Sequence, residues 1–101
     1  SRTMRDIAET AEAMTSADYK ERFVAEYLQT KIRYGKLKDM LNRYDATKAV
    51  KEEEKFDIDY LGFVPTCPIS LLREQQHIMG ELLHIYEVRA VIEAIDLTEY
   101  E

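Results

Sequence analysis

The sequence contains few of the residues that build turns, cross-links or membrane spans. Its 101 residues include 3 glycines and 2 prolines, which disfavours turn-rich sandwiches because turns draw heavily on both residue types. The one cysteine, Cys67, cannot form an intramolecular disulfide, and this usage fits a reducing cytosol. No secretory signal is recognisable, and no apolar run approaches the ~20 residues that a membrane-spanning helix needs. We therefore expect a cytoplasmic protein without a membrane segment.

Positive charge is also in short supply. The chain has 14 lysines and arginines against 20 acidic residues, for a net charge of −6. Such a chain repels duplex DNA and anionic membranes, which are themselves negative. Apolar residues make up 46% of the sequence, which excludes a disordered chain. The composition predicts one globular domain over residues 1–101, with neither duplex nucleic acid nor membrane as a partner.

The motifs of the common enzyme classes are missing. There is no nucleophile elbow, phosphate-binding loop, zinc-protease helix or dinucleotide fingerprint. His77 and His84 lie on one side of a predicted helix but ~10 Å apart along its axis, too far to share a metal ion. Cys67 has no neighbouring base to activate it, so a structural or helix-capping role is favoured. We expect no catalytic residues, no metal site and no cofactor.

Three segments show the spacing of an amphipathic helix. Apolar residues recur at intervals of three and four in a short segment, 3–14, and in two long ones, 17–44 and 68–95. Two long helices with an adequate connection favour an antiparallel hairpin. The predicted fold is therefore all-α, with a short N-terminal helix followed by a long antiparallel helical hairpin.

The connection, residues 45–67, divides into two parts. It is polar and charged up to Lys55, and then becomes apolar from Phe56 to Val64. We predict an extended arm with short β character for this second part, packed on the helices or on another subunit. Pro68 suits the first turn of the last helix, with Thr66 or Cys67 as the N-cap.

The last helix is apolar on more than one side. Its first row of side chains, the heptad stripe, predicts a buried face but includes two polar residues. The heptad stripe consists of Leu71, Gln75, Ile78, Leu82, Ile85, Arg89 and Ile92. The second row consists of Leu72, Met79, Leu83, Tyr86 and Ala90. One neighbouring helix cannot cover both rows, so we predict a homo-oligomer built on this helix. Gln75 and Arg89 need hydrogen-bonding partners or a ligand if they are buried.

The first long helix carries a local excess of positive charge. Residues 31–43 contain five basic residues and one acid, Asp39. Tyr27, Lys31, Tyr34 and Lys38 share one helix face, on which rings could stack with bases and ammonium groups could pair with phosphates. The alternative is that the tyrosines form the helix seam while the lysine stems cover apolar surface. Arg89 likewise suits a phosphate, or else a salt bridge to Glu87, Glu93 or an acid on another helix.

Several of these segments carry a family resemblance. Residues 18–27, 31–37, 65–75, 79 and 86–90 resemble a family of small phage and prophage proteins first named from a crAss-like phage gene product. The chain is also similar to the helical hairpin of phage anti-CBASS and anti-Thoeris sponge proteins. The shared features are chain size, a short first helix, a long hairpin, and a last helix with Gln75, Met79 and Val88-Arg89-Ala90. The long apolar arm at 56–65 departs from that hairpin pattern.

The resemblance implies a function. It points to a phage-encoded, non-enzymatic sponge, oligomeric and cytoplasmic in the bacterial host, that sequesters a nucleotide-derived immune second messenger to block anti-phage defence. The messenger would be a cyclic oligonucleotide or an ADP-ribose derivative, trapped between subunits. The implied stacking residues are Tyr27 and Tyr34, and the implied phosphate ligands are Lys31, Arg33, Lys38 and Arg89. One alternative is a structural or adapter oligomer that docks a protein through the hairpin face or the arm. Another is a nucleotide hydrolase, which would need a metal or paired carboxylates in its cavity.

Overall fold

The fold is a helical hairpin with a short additional helix. The computed structural model describes residues 2–53 and 57–101 and has three helices there, α1 (Ile7–Ala13), α2 (Tyr19–Glu52) and α3 (Ile69–Glu93). α2 packs against both of the others. α2 and α3 run antiparallel, because Tyr19 bonds Glu93 at one end and Asp45 pairs with Arg73 toward the other. The all-α prediction is confirmed. None of the described helices is long and apolar enough to cross a membrane.

Aspartate side chains cap the first two helices. Asp6 accepts a hydrogen bond from the Glu9 backbone N–H at 2.8 Å, so α1 begins at Ile7 rather than at the predicted residue 3. The preceding segment is instead held to the C-terminal turn, because the Met4 N–H donates to the Tyr100 carbonyl at 2.9 Å. Asp18 caps α2 in the same way as Asp6, accepting from the Lys20 N–H at 3.0 Å.

α2 extends well past its predicted end at residue 44. It continues to Glu52, and Glu53 is its C-cap. The polar stretch 45–52 was predicted as the start of the connection, which is wrong. It contains no glycine or proline and is rich in alanine, lysine and glutamate, which favour helix even when fully solvated. Polarity in this stretch therefore marks an exposed helix rather than a loop.

Backbone geometry defines both ends of α3. Pro68 is the N-cap and makes no side-chain capping bond, so the prediction of Thr66 or Cys67 as the cap is wrong. The Pro68 carbonyl instead accepts from the N–H groups of Leu71 and Leu72 at 3.1 and 3.2 Å. At the other end Ala94 adopts a left-handed conformation with φ 55°, which stops the helix before the predicted residue 95.

The core lies at one end of the hairpin. There α1, the first half of α2 and the second half of α3 meet the two terminal segments. The core residues are Met4, Ala13, Phe23, Val24, Ala25, Tyr27, Leu28, Leu83, Tyr86, Ala90 and Ile95. Tyr34, Leu97 and Tyr100 pack around this cluster. In the far half of the hairpin Leu41 is buried.

α3 packs on α2 through its second row, not through the heptad stripe. Leu83, Tyr86 and Ala90 are buried, whereas Leu71, Ile78, Ile85 and Ile92 are exposed by 52 to 76%. The prediction that the heptad stripe is buried within the chain is therefore wrong. Because the second row faces α2, the polar side chains of the heptad stripe avoid the free-energy cost of desolvation against that helix.

The arm described by residues 57–68 contains no strand. Asp59 accepts hydrogen bonds from the Leu61 and Gly62 N–H groups at 2.9 and 3.1 Å, and Gly62 has φ 80°, so the chain turns here. The Tyr60 N–H donates to the Thr47 hydroxyl at 2.9 Å, which ties the arm to α2. The prediction of β character is wrong for these residues, and Phe56 lies outside the described ones. Val64 is 86% exposed, whereas Ile58, Tyr60 and Phe63 are 41 to 54% exposed, so the arm buries about half of its apolar surface.

Candidate functional site

The basic residues of α2 are spread around the helix rather than gathered at one place. Successive residues of an α-helix are turned by about 100°, so Lys31 and Arg33 point to different sides. Lys31, Arg33 and Tyr34 each line a different groove. The predicted phosphate ligands therefore do not converge within a single chain.

One groove lies where all three helices meet, and we call it the three-helix groove. Its volume is about 480 Å³. It is lined by Ile7, Gln29, Thr30, Arg33, Lys36, Leu37, Gln75 and Met79. None of these residues is acidic, although the chain as a whole has a net charge of −6. Two cations, two amides and a hydroxyl beside three apolar side chains make this a groove suited to an anion with an apolar part.

Helix periodicity places the polar side chains of this groove. Gln29, Arg33 and Lys36 follow one another at intervals of four and three along α2, so they share a face. The same spacing is visible in the sequence, but the prediction used the neighbouring face of Tyr27, Lys31, Tyr34 and Lys38 instead. Lys36 is one of the five basic residues of the segment 31–43 but was not predicted as a ligand-binding residue, and neither were Gln29 and Thr30.

Gln75 is the polar residue that α3 contributes to the three-helix groove. Its amide donates to the Met79 sulfur at 3.8 Å, which is a weak hydrogen bond. Its side chain is exposed. A weakly bonded and exposed amide can turn to a ligand at little cost, so a binding role for Gln75 fits its position better than a role in joining the helices.

Tyr27 belongs to the core. It is 4% exposed, and its hydroxyl donates to a Glu87 carboxylate oxygen at 2.6 Å. Burial and then this hydrogen bond raise the pKa of the Tyr27 phenol to about 12. Tyr86 meets the ring edge to face at 6.5 Å, and the Lys31 ammonium lies 5.9 Å from its centroid. A ring enclosed in this way has no open face for a base, which argues against the predicted stacking role of Tyr27.

Tyr34 is half-buried and borders a second groove, which we call the hairpin groove. Its ring lies against Gly80, where an added methyl group would be 3.4 Å from the ring. The hairpin groove measures about 740 Å³ and is lined by Tyr34, Arg73, Gln76, His77, Gly80, Glu81, His84 and Ile85. Its polar groups largely satisfy one another, because Arg73 is paired with Asp45 at 2.5 and 3.1 Å and His77 lies 3.3 Å from Glu81. An acid in the lining and an occupied arginine make it less suited to phosphate than the three-helix groove.

The two predicted lysine ligands lie away from both of these grooves. Lys31 lines a third groove of about 460 Å³ beside Met4, Arg5 and Glu101. Lys38 is exposed and has no ion pair within the described part of the chain. Their role in binding a phosphate stays a prediction.

Arg89 forms a closed polar network at the end of α3. Its Nε lies 3.2 Å from Glu93, its Nη2 donates to the Tyr19 hydroxyl at 2.7 Å, and that hydroxyl donates to Glu93 at 2.9 Å. The hydrogen bond to Glu93 raises the pKa of Tyr19 above its ordinary value. The guanidinium also lies 4.7 Å from the Phe23 ring centroid, a cation–π contact. The salt-bridge alternative for Arg89 is thus realised with Glu93.

Across residues 2–53 and 57–101, no group of three or more histidine, cysteine, aspartate or glutamate side chains is placed to hold a metal ion. His77 and His84 line the same hairpin groove. Cys67 is an exposed free thiol two residues before the start of α3. These residues offer no constellation that we can connect with a reaction.

Comparison with known proteins places the chain in a family. The model of the Sequestin family matches residues 17–92. This range covers all of α2 and nearly all of α3, and includes Arg33, Lys36, Gln75 and Arg89. No curated protein and no solved structure matches the chain. Because the match spans well over half of the sequence, the chain belongs to the Sequestin family.

Proposed function

We propose that this protein is a phage-encoded, non-enzymatic sponge that sequesters a nucleotide-derived immune second messenger and so blocks host anti-phage defence. The messenger is a cyclic oligonucleotide or an ADP-ribose derivative. The family name describes sequestration, which supports the binding role. The observation that carries the choice of ligand is the lining of the three-helix groove, with Arg33, Lys36, Thr30 and Gln75 and no acid.

The groove offers a group for each part of such a ligand. Arg33 presents a planar fork that bonds two phosphate oxygens at once, and Lys36 adds a mobile point charge. The amides of Gln29 and Gln75 supply donors and acceptors for ribose hydroxyls and base edges. Ile7, Leu37 and Met79 supply apolar contact. A local cluster of this kind can hold an anion although the net charge of the chain is negative.

Sequestration requires no bond to break in the ligand. The three-helix groove contains no carboxylate, histidine or cysteine, so its lining has no general base or acid of the usual kind. The ligand would leave as it entered. Affinity and abundance, rather than turnover, would determine how much messenger is withheld from the host.

One observation favours the adapter alternative. The heptad stripe of α3 leaves four large aliphatic side chains more than half exposed, namely Leu71, Ile78, Ile85 and Ile92. A surface of this kind normally marks a protein interface. An adapter would use this surface to bind a different protein, whereas a sponge would use it for self-association. A ligand-binding measurement distinguishes these two functions.

The test is a thermal-shift panel of cyclic dinucleotides, cyclic trinucleotides and cyclised ADP-ribose. A ligand at 100 times its Kd adds about 2.7 kcal/mol of stability, so binding should raise the melting temperature clearly. Arg33→Ala should abolish the shift, and Lys38→Ala, an exposed lysine outside the groove, should retain it. Loss of the shift in Lys38→Ala alone would place the ligand on the Tyr34–Lys38 face instead. No shift with any ligand class would favour the adapter.

A further inference from the structure

Thr10 of α1 lies behind the lining of the three-helix groove. It is fully buried, with 0% of its surface exposed, and it does not itself line the groove. Its hydroxyl oxygen lies 2.8 Å from the Ile7 carbonyl oxygen and 3.4 Å from the Gln29 side-chain nitrogen. Ile7 and Gln29 both line the groove, so Thr10 contacts the site from behind through two of its lining residues.

The chemistry of these two contacts fixes the direction of each hydrogen bond. A backbone carbonyl can only accept, so the single hydroxyl hydrogen of Thr10 goes to Ile7. The Thr10 oxygen then offers only lone pairs to Gln29, and the amide must donate to it. At 3.4 Å this bond is long, so the preference also rests on the repulsion that a reversed amide would meet, oxygen against oxygen. The nitrogen of the Gln29 amide is therefore its anchored end.

The carbonyl oxygen of Gln29 is the open end of the amide. It accepts no hydrogen bond from the part of the chain that the structure describes. Gln29 is half-buried, so a ligand that packs on it covers this oxygen. A covered acceptor without a donor weakens binding roughly tenfold. The groove therefore favours a ligand that presents a hydrogen-bond donor at this point.

Gln75, the other amide of the groove, is not fixed in this way. Its nitrogen lies 3.8 Å from the Met79 sulfur, which is a weak acceptor. Its side chain is exposed, so it can turn either end toward a ligand. Gln29 is therefore the amide that discriminates between ligands.

The position of Gln29 along α2 indicates which part of a nucleotide it meets. Arg33 and Lys36 follow it by four and seven residues, or roughly 6 and 10 Å along the helix axis. Neither forms an ion pair within residues 2–53 and 57–101, so both are available for phosphate. Ile7, at 36% exposure, lies at the Gln29 end because both contact Thr10. A phosphate held by the two cations leaves room for one ribose, and the base then lies against Ile7 and Gln29.

We propose that Thr10 is a positioning residue that fixes the Gln29 amide with its oxygen open, and that the three-helix groove therefore selects a nucleotide whose base carries an exocyclic amino group. The selection of a base rests on the function proposed above, whereas the anchoring of Gln29 by Thr10 does not. Adenine fits best, because its amino group donates and its neighbouring ring nitrogen accepts. The second amide hydrogen of Gln29 can pair with that ring nitrogen.

The anchor is tested without any ligand, by NMR of the Gln29 side-chain amide protons. Gln29→Met identifies these signals by their absence. Thr10→Val keeps the shape of the side chain but removes the hydroxyl, so it should move the signals upfield through loss of the hydrogen bond. Thr10→Ser keeps the hydroxyl and should leave them near their wild-type positions. Signals that do not move in Thr10→Val would overturn the anchoring.

The selection is tested with ADP-ribose and cyclic di-AMP, each compared with an analogue in which hydrogen replaces the adenine amino group. The wild type should bind the adenine form of its ligand roughly tenfold more tightly than the analogue, and Thr10→Ser should keep this ratio. In Thr10→Val the amide is free to turn its nitrogen toward the ring acceptors that both bases possess, so the ratio should fall toward one. Gln29→Met, which lacks the amide, should also give a ratio near one.

The serine variant separates positioning from a merely structural role. Thr10→Ser loses a buried methyl group, so it should melt at a lower temperature than the wild type while still selecting the amino group. Loss of selection in Thr10→Ser as well as in Thr10→Val would show that the packing of α1, and not the hydroxyl, controls the site. That result would overturn the role proposed for Thr10.

The outcomes also separate this inference from the proposed function. Equal affinity of the wild type for a probe and its analogue would overturn the selection and leave the sponge in place. Binding of neither probe, with the Gln29 signals moved in Thr10→Val, would reject the nucleotide site and the selection together, and would retain Thr10 as the anchor of Gln29.

Discussion

The two faces of α3 are both largely apolar in sequence but differ in what covers them. On one face Leu83, Tyr86 and Ala90 are buried against α2, where Phe23 meets Tyr86 at 5.6 Å in an edge-to-face contact. On the other, the heptad stripe faces outward, with Ile78 and Ile85 each about half exposed. Hydrophobic periodicity predicts that a helix face is buried, but it does not show whether the same chain or another molecule buries it.

The difference between the two faces of α3 is tested most strongly by replacing two adjacent leucines with alanine. Leu83→Ala should lower the free energy of unfolding by about 2–4 kcal/mol, because Leu83 is 8% exposed and its loss leaves a cavity against α2. Leu82→Ala, at 36% exposure, should cost under about 1 kcal/mol once the protein is dilute enough to be monomeric. Urea unfolding of both variants gives the two values.

The dependence of stability on protein concentration separates the Leu82→Ala and Leu83→Ala variants further. Leu82→Ala should weaken association at micromolar concentration, whereas Leu83→Ala should lower the free energy of unfolding at every protein concentration. Equal losses for the two variants at high dilution would show that both faces are packed within one chain, which would contradict the comparison.

The hydrogen bond from Tyr27 to Glu87 tests the buried face at alkaline pH. Burial and this bond raise the pKa of Tyr27 from its ordinary value of 10.0 to about 12. The folded state favours the neutral phenol, so the stability it contributes is complete below pH 10 and is lost as the pH rises toward 12. Tyr27→Phe should cost about 1 kcal/mol at neutral pH.

The sign of that effect can be checked by denaturant unfolding of the wild type and Tyr27→Phe between pH 8 and pH 11. The stability difference between them should shrink as the pH rises, because the wild type alone loses the contribution of Tyr27. A difference that stays constant across this range would mean that the phenol is as free to ionise in the folded state as in the unfolded one.

The smallest effects come from two glycines. Gly35, in the middle of α2, has no atom of another element within 4 Å of the place where a methyl group would lie. Gly35→Ala should stabilise the helix by about 1 kcal/mol. Gly80→Ala, on α3, should gain less because its methyl group would lie 3.4 Å from the Tyr34 ring. Thermal unfolding of both variants provides the test, and a larger gain for Gly80→Ala would contradict this packing.

Much of the fold could be predicted from the sequence, because helix periodicity and the scarcity of turn residues are local properties. The three helices follow from such signals, whereas the cap at Asp6, which starts α1 at Ile7 rather than residue 3, was not predicted. The end of α2 could not be predicted from polarity, because the polar composition after residue 44 fits a solvated helix as well as a loop. The exposure of the heptad stripe was not predicted either, although Gln75 and Arg89 are a local signal against its burial that the second row of α3 lacks.

The candidate site was harder to predict than the fold. Arg33 was among the predicted phosphate ligands, and the structure places it in a groove with Gln75, 42 positions along the chain. Lys31 and Tyr27 were predicted as ligand-binding residues on one shared helix face, but Lys31 lines a different groove and Tyr27 is buried. A site assembled from three helices depends on their packing, which the spacing within one helix does not specify.

The central claim is that this member of the Sequestin family withholds a nucleotide signal without altering it. The most direct measurement is to incubate the protein with each cyclic oligonucleotide and cyclised ADP-ribose, remove free ligand, denature the protein by heat, and identify what is released by mass spectrometry. The account predicts that one ligand class is retained and released with its mass unchanged, in an amount approaching one per three-helix groove. Retention of none, or release of a product with a different mass, would contradict it.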